Sequence, residues 1–296
     1  MGGGKRPDFF LVGAAKSGTT SLFQYLIQHP SIFIPSIKEP HYFSEFYDAG
    51  APRCATDEEY FALFEDCPPG ARAGDASTSY LYSASSARRI HDVCPTARIM
   101  AVLRNPIDRA YSFYWYNRRN LVEDLSFEDA LEAEPGRISE GCHYRFHYVA
   151  SGMYAGQVSR YLDTFGHEAF RAYLFEDLRD ARELCARIFE FLGVDPGVPI
   201  DTEKRFNPGG PVRSDLLARF LTRSFPRLRR LFPQVARDVK YRLMEVNVRR
   251  PEPMAPTTRE RLAEAFRDDV GRLQDMIGRD LAHWLSSTST TPAHAS

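Results

Sequence analysis

The chain has 296 residues, of which 43% are hydrophobic, so it can bury the core of one large domain or two small ones. Its 38 basic and 39 acidic side chains nearly cancel, and no overall field favours nucleic acid as a partner. Eleven Arg or Lys residues against three Asp or Glu nevertheless fall between Arg213 and Arg250. This stretch indicates either a solvated helical face or a basic rim for an anionic cofactor or an anionic membrane surface.

The five cysteines are odd in number, widely spaced and free of CxxC pairs, which favours free buried thiols in a reducing compartment over zinc or disulfides. No apolar run approaches the ~18 residues of a transmembrane helix, and the first residues lack the apolar core of a signal peptide. We therefore expect a cytoplasmic protein. Peripheral membrane contact and the oligomeric state stay open. The polar residues 286–296 are expected to form a disordered tail.

The predicted elements begin with a strand, a glycine-containing turn and a helix across residues 8–29. A short strand follows at 32–34, and the stretch 44–74, broken by prolines and glycines, is expected to be irregular. A helix at 84–93 then precedes the apolar run 97–103, which is typical of a buried parallel strand.

The next signals are helix starts. Asn105 is a favoured N-cap and Pro106 a favoured first helical residue, so a helix should begin there. Ser126 and Asp129 form a capping pair that predicts a further helix, ending near residues 135–136.

The last third continues the alternation of strands and helices. A strand is predicted at 170–175, a helix at 181–192 and a loop at 207–211. A long regular helix follows, for which Thr257 and Glu260 are expected to form the capping box.

This order of elements indicates an α/β fold, a single domain over 1–285 with a central parallel sheet flanked by helices. Its first strand leads through Lys16-Ser17-Gly18-Thr19-Thr20-Ser21 into a helix. Such a turn presents backbone N–H groups to an anion, and the helix dipole favours negative charge there. Lys16 precedes the Ser-Gly-Thr-Thr, whereas an ATPase loop has its lysine after the last glycine. The pattern therefore predicts a P-loop-like phosphate site of another type.

Three segments, in this order, resemble the sulfotransferases that use 3′-phosphoadenosine 5′-phosphosulfate (PAPS). Residues 16–22 resemble the family's 5′-phosphosulfate loop, and 104–112 its 3′-phosphate element. Between them, 38–43 resembles the acidic motif of the heparan sulfate-type carbohydrate enzymes and their bacterial relatives. The resemblance covers the chain weakly from about Phe9 to Trp284. It implies an enzyme that moves the sulfuryl group of PAPS to an acceptor without a metal. The Golgi enzymes carry a membrane anchor that this chain does not show, so a bacterial, cytoplasmic type is expected.

The resemblance also implies roles for single residues. Lys16 would stabilise the departing phosphate, and the amides of Ser17, Gly18, Thr19, Thr20 and Ser21 would hold the 5′-phosphate. Arg104 lies at the predicted carboxyl end of a strand, where open α/β sheets bind ligands, and would hold the 3′-phosphate together with Ser112. A structural ion pair between Arg104 and Asp108 is the alternative. The loop 207–213, including Arg213, is expected near the adenosine.

Glu39 is the candidate general base, because the acceptor hydroxyl must lose its proton as it attacks. Apolar surroundings, which Tyr42 and Phe43 could supply, would raise the pKa of this carboxyl. Two alternatives remain. Glu39 could form only a surface ion pair with Lys38, or His41 could be the base, since the cytosolic small-molecule sulfotransferases use a histidine.

The acceptor is the least determined part of the function. Ala76 stands where several heparan sulfate enzymes carry a substrate-contacting lysine, which argues against a polyanionic glycan. Trp115, Tyr116 and the residues 143–148 could line a pocket for a sugar, glycolipid or secondary metabolite, or they could pack the core. Two other functions compete: a P-loop kinase or NTPase, which the position of the lysine disfavours, and a non-catalytic nucleotide-binding protein, which the intact motifs disfavour.

Overall fold

The computed structural model describes residues 5–46, 54–203 and 251–286. In them, five parallel strands form one sheet in the order β2-β3-β1-β4-β5. The strands are β1 (Phe9–Gly13), β2 (Ile32–Phe33), β3 (Arg72–Ala76), β4 (Arg98–Leu103) and β5 (Phe170–Leu174). β1 lies in the middle, and the chain continues to β3 on one side of it and to β4 and β5 on the other. The carboxyl ends of β1 and β4 are therefore neighbours at the point where the direction of winding changes, the usual ligand site of such sheets.

Helices cover both faces of the sheet. They are α1 (Thr19–Leu26), α2 (Asp57–Ala62), α3 (Ser79–Tyr82), α4 (Ser86–Val93), α5 (Pro106–Arg119), α6 (Phe127–Ser139), α7 (Tyr154–Ala169), α8 (Ala181–Leu192) and α9 (Pro256–Ile277). Alternate residues of β1 enter two separate cores. Phe10 and Val12 pack with α5, α7 and α9, while Phe9 and Leu11 pack with α1 and α8. The predicted α/β fold, with a central parallel sheet between helices, is confirmed.

The prediction that residues 44–74 are irregular is wrong at two places, because this stretch contains α2 and most of β3. Arg72-Ala-Gly-Asp-Ala has no β-branched residue and so gives no local strand signal. Gly74 pairs with Phe9 of β1, and a Cβ at this position would overlap the Phe9 ring. The strand is therefore selected by packing against β1, because only glycine leaves room for that ring.

The helix that begins after Ser126 starts as predicted, with the Ser126 Oγ accepting from the Asp129 N–H at 3.1 Å. Its predicted end near 135–136 is wrong, because α6 continues through Pro135 to Ser139. The turn after the proline is held from outside, since Arg137 forms an ion pair of 2.6 Å with the buried Glu123. This tertiary contact offsets the loss of the backbone hydrogen bond that Pro135, which has no N–H, cannot donate within the helix.

The capping box predicted at Thr257 and Glu260 is also wrong. α9 begins at Pro256, so both residues already lie inside the helix. Proline has a fixed φ suited to the first helical position, and this sets the start two residues earlier, with Ala255 instead of Thr257 as the N-cap. Asn105 behaves as predicted: its Oδ1 accepts from the N–H of Ile107 at 3.0 Å, and Pro106 is the first residue of α5.

All five cysteines are free, and three of them (Cys54, Cys94 and Cys185) are buried. Burial raises the pKa of both Cys94 and Cys185 to about 12, so these thiols stay protonated. Within the described parts of the chain no helix is both long and apolar enough to cross a bilayer. The predicted loop at 207–211, the basic stretch 213–250 and residues 287–296 lie outside the described residues.

Candidate active site

The turn between β1 and α1 carries Lys16. β1 ends at Gly13 and α1 begins at Thr19, and between them Lys16 and Gly18 take left-handed backbone angles, with φ of 70° and 82°. A side chain at Gly18 would overlap Leu178, so the turn requires glycine there. Glycine has no side chain with which to cap the helix, so the Gly18 position leaves the start of α1 without a side-chain cap. This is the geometry of an anion site.

Lys16 is held among aromatic and cationic groups. Its Nζ lies 4.3 Å from the centre of the Tyr116 ring, a cation–π contact. Burial lowers the pKa of Lys16 to about 7, and the nearby charges of Arg119, Arg104 and Lys38 add to this effect. Glu39 opposes it. Among the described residues, Arg119, Arg104 and Lys38 therefore act on this lysine against the carboxylate of Glu39, an arrangement that an anionic ligand would relieve.

Arg104 directly follows β4 and lies beside the Lys16 turn. Its Nη1 donates to the main-chain oxygen of Lys16 at 3.2 Å, and its guanidinium carbon lies 4.6 Å from the Phe175 ring centre. Burial lowers the pKa of Arg104 from its ordinary value. The alternative prediction was an ion pair between Arg104 and Asp108. In the structure Asp108 instead forms its ion pair with Arg259. Arg104 thus contacts the turn at the sheet's ligand-binding edge.

Glu39 lies in the same region and has a left-handed φ of 62°. Its side chain is 26% exposed, and its Oε1 accepts from the Lys38 Nζ at 2.6 Å and from the Thr78 hydroxyl at 3.3 Å. Burial alone would raise the pKa of Glu39, but the charge and hydrogen bond of Lys38, with His41 and Thr78, hold it below its usual value. The expectation of a raised pKa is therefore wrong, and the ion pair with Lys38, foreseen as the alternative, is present.

His41 is not remote from Glu39 but adjacent to it. Its Nε2 lies 3.7 Å from the Glu39 Oε2, and its Nδ1 lies 2.9 Å from the Ser79 hydroxyl. The ring is only 4% exposed. The two candidate bases therefore form one unit, in which His41 is the more enclosed member.

The segment after β3 positions this unit. Thr78 contacts Glu39 and Ser79 contacts His41, while the buried Asp75 accepts from the Ser77 hydroxyl at 2.7 Å and from Tyr80 at 2.9 Å. Burial raises the pKa of Asp75 to about 6, although its three hydroxyl partners oppose this. Asp75 thus anchors both ends of the short segment that holds Glu39 and His41.

The other residues predicted for the site lie in different parts of the chain. Ser112 is half-buried on α5, about two turns after Pro106. Ala76 is 3% exposed and packs in the core, so this position does not face an acceptor as the resemblance implied. Arg213 lies outside the described residues. No trio of His, Cys, Asp or Glu side chains suited to a metal ion occurs in residues 5–46, 54–203 and 251–286.

Arg119 is a site residue that the sequence analysis missed. It is the last residue of α5 and only 9% exposed, and its guanidinium carbon lies 5.6 Å from the Tyr116 ring that also contacts Lys16. The signal was available, because Arg119 lies three residues after Tyr116 and seven after Ser112, on the same face of one helix.

Tyr144, one of the aromatic residues considered for an acceptor pocket, belongs to a packed wall with Phe46 and Tyr82. Phe46 stacks on Tyr82 at 5.4 Å, and Tyr82 stacks on Tyr144 at 6.1 Å between ring centres. His147 is fixed behind them, with its Nδ1 at 2.8 Å from the Tyr82 hydroxyl. Burial lowers the pKa of His147 from its ordinary value. Phe146 is covered by the Arg137 guanidinium at 4.7 Å.

A doubly covered parallel sheet with a cationic turn at the carboxyl ends of β1 and β4 defines an α/β protein with a P-loop-like anion site. Residues 6–207 match the family model described as the sulfotransferase domain. The chain therefore belongs to the sulfotransferase family, the transferases that use PAPS as sulfuryl donor.

Solved and curated relatives agree with this assignment. A crystal structure of a sulfotransferase from Alicyclobacillus acidocaldarius is 34% identical, with a TM-score of 0.76 over 95% of this chain and 100% of that one. The human bifunctional heparan sulfate N-deacetylase/N-sulfotransferase 3 is 25% identical over 94% of this chain but 31% of its own length. The human heparan sulfate glucosamine 3-O-sulfotransferase 6 is 27% identical over 94% of this chain and 75% of its own. The chain thus spans about a third of the first curated relatives it matches.

Proposed function

We propose that this protein transfers the sulfuryl group of PAPS to a hydroxyl of a sugar, glycolipid or secondary-metabolite acceptor. One observation carries the proposal: Lys16, Arg104 and Lys38 converge with the carboxylate of Glu39 near the start of α1, which no side chain caps. Cations beside a helix N-terminus suit a phosphate ester, and a carboxylate among them suits the removal of a proton.

The residues present fit PAPS as the donor substrate. The amides of residues 17–21 and the Lys16 ammonium would hold the 5′-phosphosulfate, because both supply hydrogen-bond donors and positive charge. The Arg104 guanidinium, with Ser112, would hold the 3′-phosphate, since a planar fork suits a phosphate dianion. The excess of cations over carboxylates around Lys16 supports this assignment, because a bound dianion would compensate it.

The proposed chemistry is one in-line displacement. Glu39 takes the proton of the acceptor hydroxyl as that oxygen bonds to sulfur, while the bond between sulfur and the bridging phosphate oxygen breaks and its electron pair stays on the phosphate. Lys16 stabilises the negative charge that develops on this leaving oxygen. The low pKa of Glu39 keeps it ionised at neutral pH, as a proton acceptor must be, although it also makes the carboxylate a weaker base.

Support for the acceptor class comes from the names of the relatives. One is a sulfotransferase for the 3-O position of glucosamine in heparan sulfate, and others are N-sulfotransferases of heparan sulfate. Both names point to a saccharide, and the 3-O enzyme points to a hydroxyl. We propose a saccharide-like acceptor with a hydroxyl as the site of transfer, and an acceptor screen with labelled PAPS is the direct way to identify it.

Binding of the product 3′,5′-bisphosphate (PAP) tests the donor site. PAP without metal should raise the unfolding midpoint, since a ligand at ~100 times its dissociation constant stabilises by about 2.7 kcal/mol. Arg104→Ala should weaken PAP by about 1.5–3 kcal/mol, the value of a charge-assisted hydrogen bond, and should leave AMP nearly unaffected because AMP has no 3′-phosphate.

Thermal shifts with PAP, AMP and Mg²⁺-ATP, each on the wild type and on Arg104→Ala, decide between the functions. Arg118→Gln on the same helix is the matched control for a lost positive charge. A larger shift with Mg²⁺-ATP than with PAP would overturn the sulfotransferase proposal. An equal loss of affinity for PAP and for AMP in Arg104→Ala would show that Arg104 has a structural role.

A further inference from the structure

A cavity of about 430 Å³ lies at the amino edge of the sheet, opposite the edge that carries Lys16. Arg72 and Arg98, the first residues of β3 and β4, line it together with Asp8, which directly precedes β1. The ends of α4 and α8 form its other walls. This volume falls within the range of roughly 300–1,000 Å³ that is usual for small-molecule sites, and a single inorganic anion would not fill it.

The walls of this cavity carry more positive than negative charge. Arg6, Arg72 and Arg98 line it, and among its lining residues in the described parts of the chain Asp8 is the only acidic one. The Asp8 carboxylate is already engaged. Its Oδ2 accepts from a backbone N–H of β3 at 2.8 Å and lies 2.9 Å from the Lys5 Nζ, whereas its Oδ1 is 3.9 Å from the Arg72 Nη1. Asp8 therefore offsets Lys5 and only part of the charge of the arginines.

Arg98 is held in place by a contact that leaves its hydrogen-bond donors available. Its guanidinium carbon lies 5.2 Å from the centre of the Phe191 ring, and such a cation–π contact does not consume the N–H groups of the fork. Basic side chains at this edge could instead serve the helix C-termini that end here, as Arg6 does by donating to the Val93 oxygen at 2.9 Å. The side chains of Arg72 and Arg98 donate to no carbonyl group of the described residues. Two arginine forks thus face the cavity without a hydrogen-bonded partner in that part of the chain.

We propose that this cavity binds a small phosphorylated molecule of sugar or nucleotide size through the guanidinium groups of Arg72 and Arg98. A phosphomonoester carries close to two negative charges at neutral pH and three acceptor oxygens, which suits two arginine forks. The rest of the volume accommodates the polar body of the ligand. This site does not depend on the proposed sulfuryl transfer. Because the five residues of β1 separate the two edges of the sheet by roughly 16 Å, this site and the Lys16 turn can be occupied at the same time.

Titration calorimetry at constant ionic strength tests the site, with fructose 1,6-bisphosphate as the probe and fructose and inorganic phosphate for comparison. The bisphosphate should bind the wild type, and fructose should not. Arg72→Gln and Arg98→Gln should each weaken the bisphosphate about tenfold or more, since each removes charge-assisted hydrogen bonds. Both side chains are exposed, so the variants should fold, and an unfolding curve for each checks this. Arg182→Gln is the matched control, because it removes an exposed charge from the other end of α8 and should leave the affinity unchanged.

The same titration with saturating PAP present distinguishes this cavity from the Lys16 turn. Unchanged affinity for the bisphosphate would support the proposal, whereas competition with PAP would place the bisphosphate at the other edge and overturn it. The arginine variants decide the question even if PAP itself does not bind. Absence of binding to the wild type, or equal affinity in the wild type and both variants, would overturn the proposal. Equal affinity for inorganic phosphate and the bisphosphate would do the same, because it would show a simple anion site.

Discussion

Lys16 shows how one residue's environment is set by its neighbours in space. In the free protein its ammonium is buried on the Tyr116 ring and repelled by three cations, which together bring its pKa to about 7 instead of 10.5. A phosphate beside it would reverse the balance, since an adjacent negative charge favours the protonated form. Ligand binding and protonation of Lys16 are therefore linked.

This linkage predicts that PAP binds more weakly as the pH rises. Lys16 is charged below its pKa of about 7 and neutral above it, so binding above that pH must take up a proton. We expect the dissociation constant to increase by up to about tenfold per pH unit between about pH 7 and pH 9. Titration calorimetry across this range measures the slope. Lys16→Arg, which stays charged, should give a flat profile, and a flat profile for the wild type would contradict the low pKa.

The two adjacent candidate bases can be separated by their variants. If Glu39 accepts the proton, Glu39→Gln should lower the chemical rate by roughly 10²–10⁴-fold and leave PAP affinity nearly unchanged. His41→Ala should reduce the rate less, because His41 lies 3.7 Å behind the carboxylate and is bonded to Ser79.

Single-turnover rates with the identified acceptor measure this difference, with an unfolding curve for each variant because His41 is buried. The opposite order, in which a folded His41→Ala is inactive while Glu39→Gln retains turnover, would assign the base to the histidine.

At the scale of elements, the β1–α1 turn depends on a glycine. Gly18→Ala should cost about 1–2 kcal/mol of stability for a left-handed alanine, and more because its Cβ would meet the flexible end of Leu178. It should also weaken PAP, since the first amides of α1 would shift. Gly141→Ala is the matched control, because Gly141 has a similar φ of 71° and open space around it.

Urea unfolding and PAP titration of both variants give the comparison. Gly141→Ala reports the cost of the backbone angle alone and should leave PAP affinity unchanged. Equal effects of the two substitutions on stability and affinity would show that the turn tolerates a side chain at Gly18.

For the whole molecule, Trp284 near the end of the described residues stabilises the edge of the sheet at which Arg104 lies. The fully buried Trp284 accepts from the Asn105 side chain at 2.8 Å through its main-chain oxygen, and its Nε1 donates to Glu176 at 3.0 Å. Asn105 follows Arg104, and Glu176 follows the Phe175 ring on which Arg104 lies. A residue 180 positions away along the chain therefore supports both sides of Arg104.

Trp284→Ala should lower the free energy of unfolding by about 3–5 kcal/mol, the range for removal of a buried tryptophan. Urea unfolding measures it, with the half-buried Trp115→Ala as the control, for which a smaller loss is expected. A loss for Trp284→Ala no larger than that control would mean that the C-terminal residues do not fasten this edge.

Features that depend on neighbouring residues along the chain could be predicted from the sequence. β1, the glycine turn with Lys16, the strand at β4 and the cap at Asn105 were predicted correctly, because their signals are local propensity, glycine angles and capping geometry. The helix ended by Gly193, whose φ is 69°, belongs to the same group.

Features that arise from contacts between distant residues could not be predicted, because they depend on the folded structure. β3 exists because Gly74 admits the Phe9 ring, and α6 passes Pro135 because Arg137 meets Glu123. The charge balance of the site could not be predicted from the sequence either. The lowered pKa values of Glu39 and Lys16 depend on which cations the fold brings beside them, and a linear sequence does not state those distances.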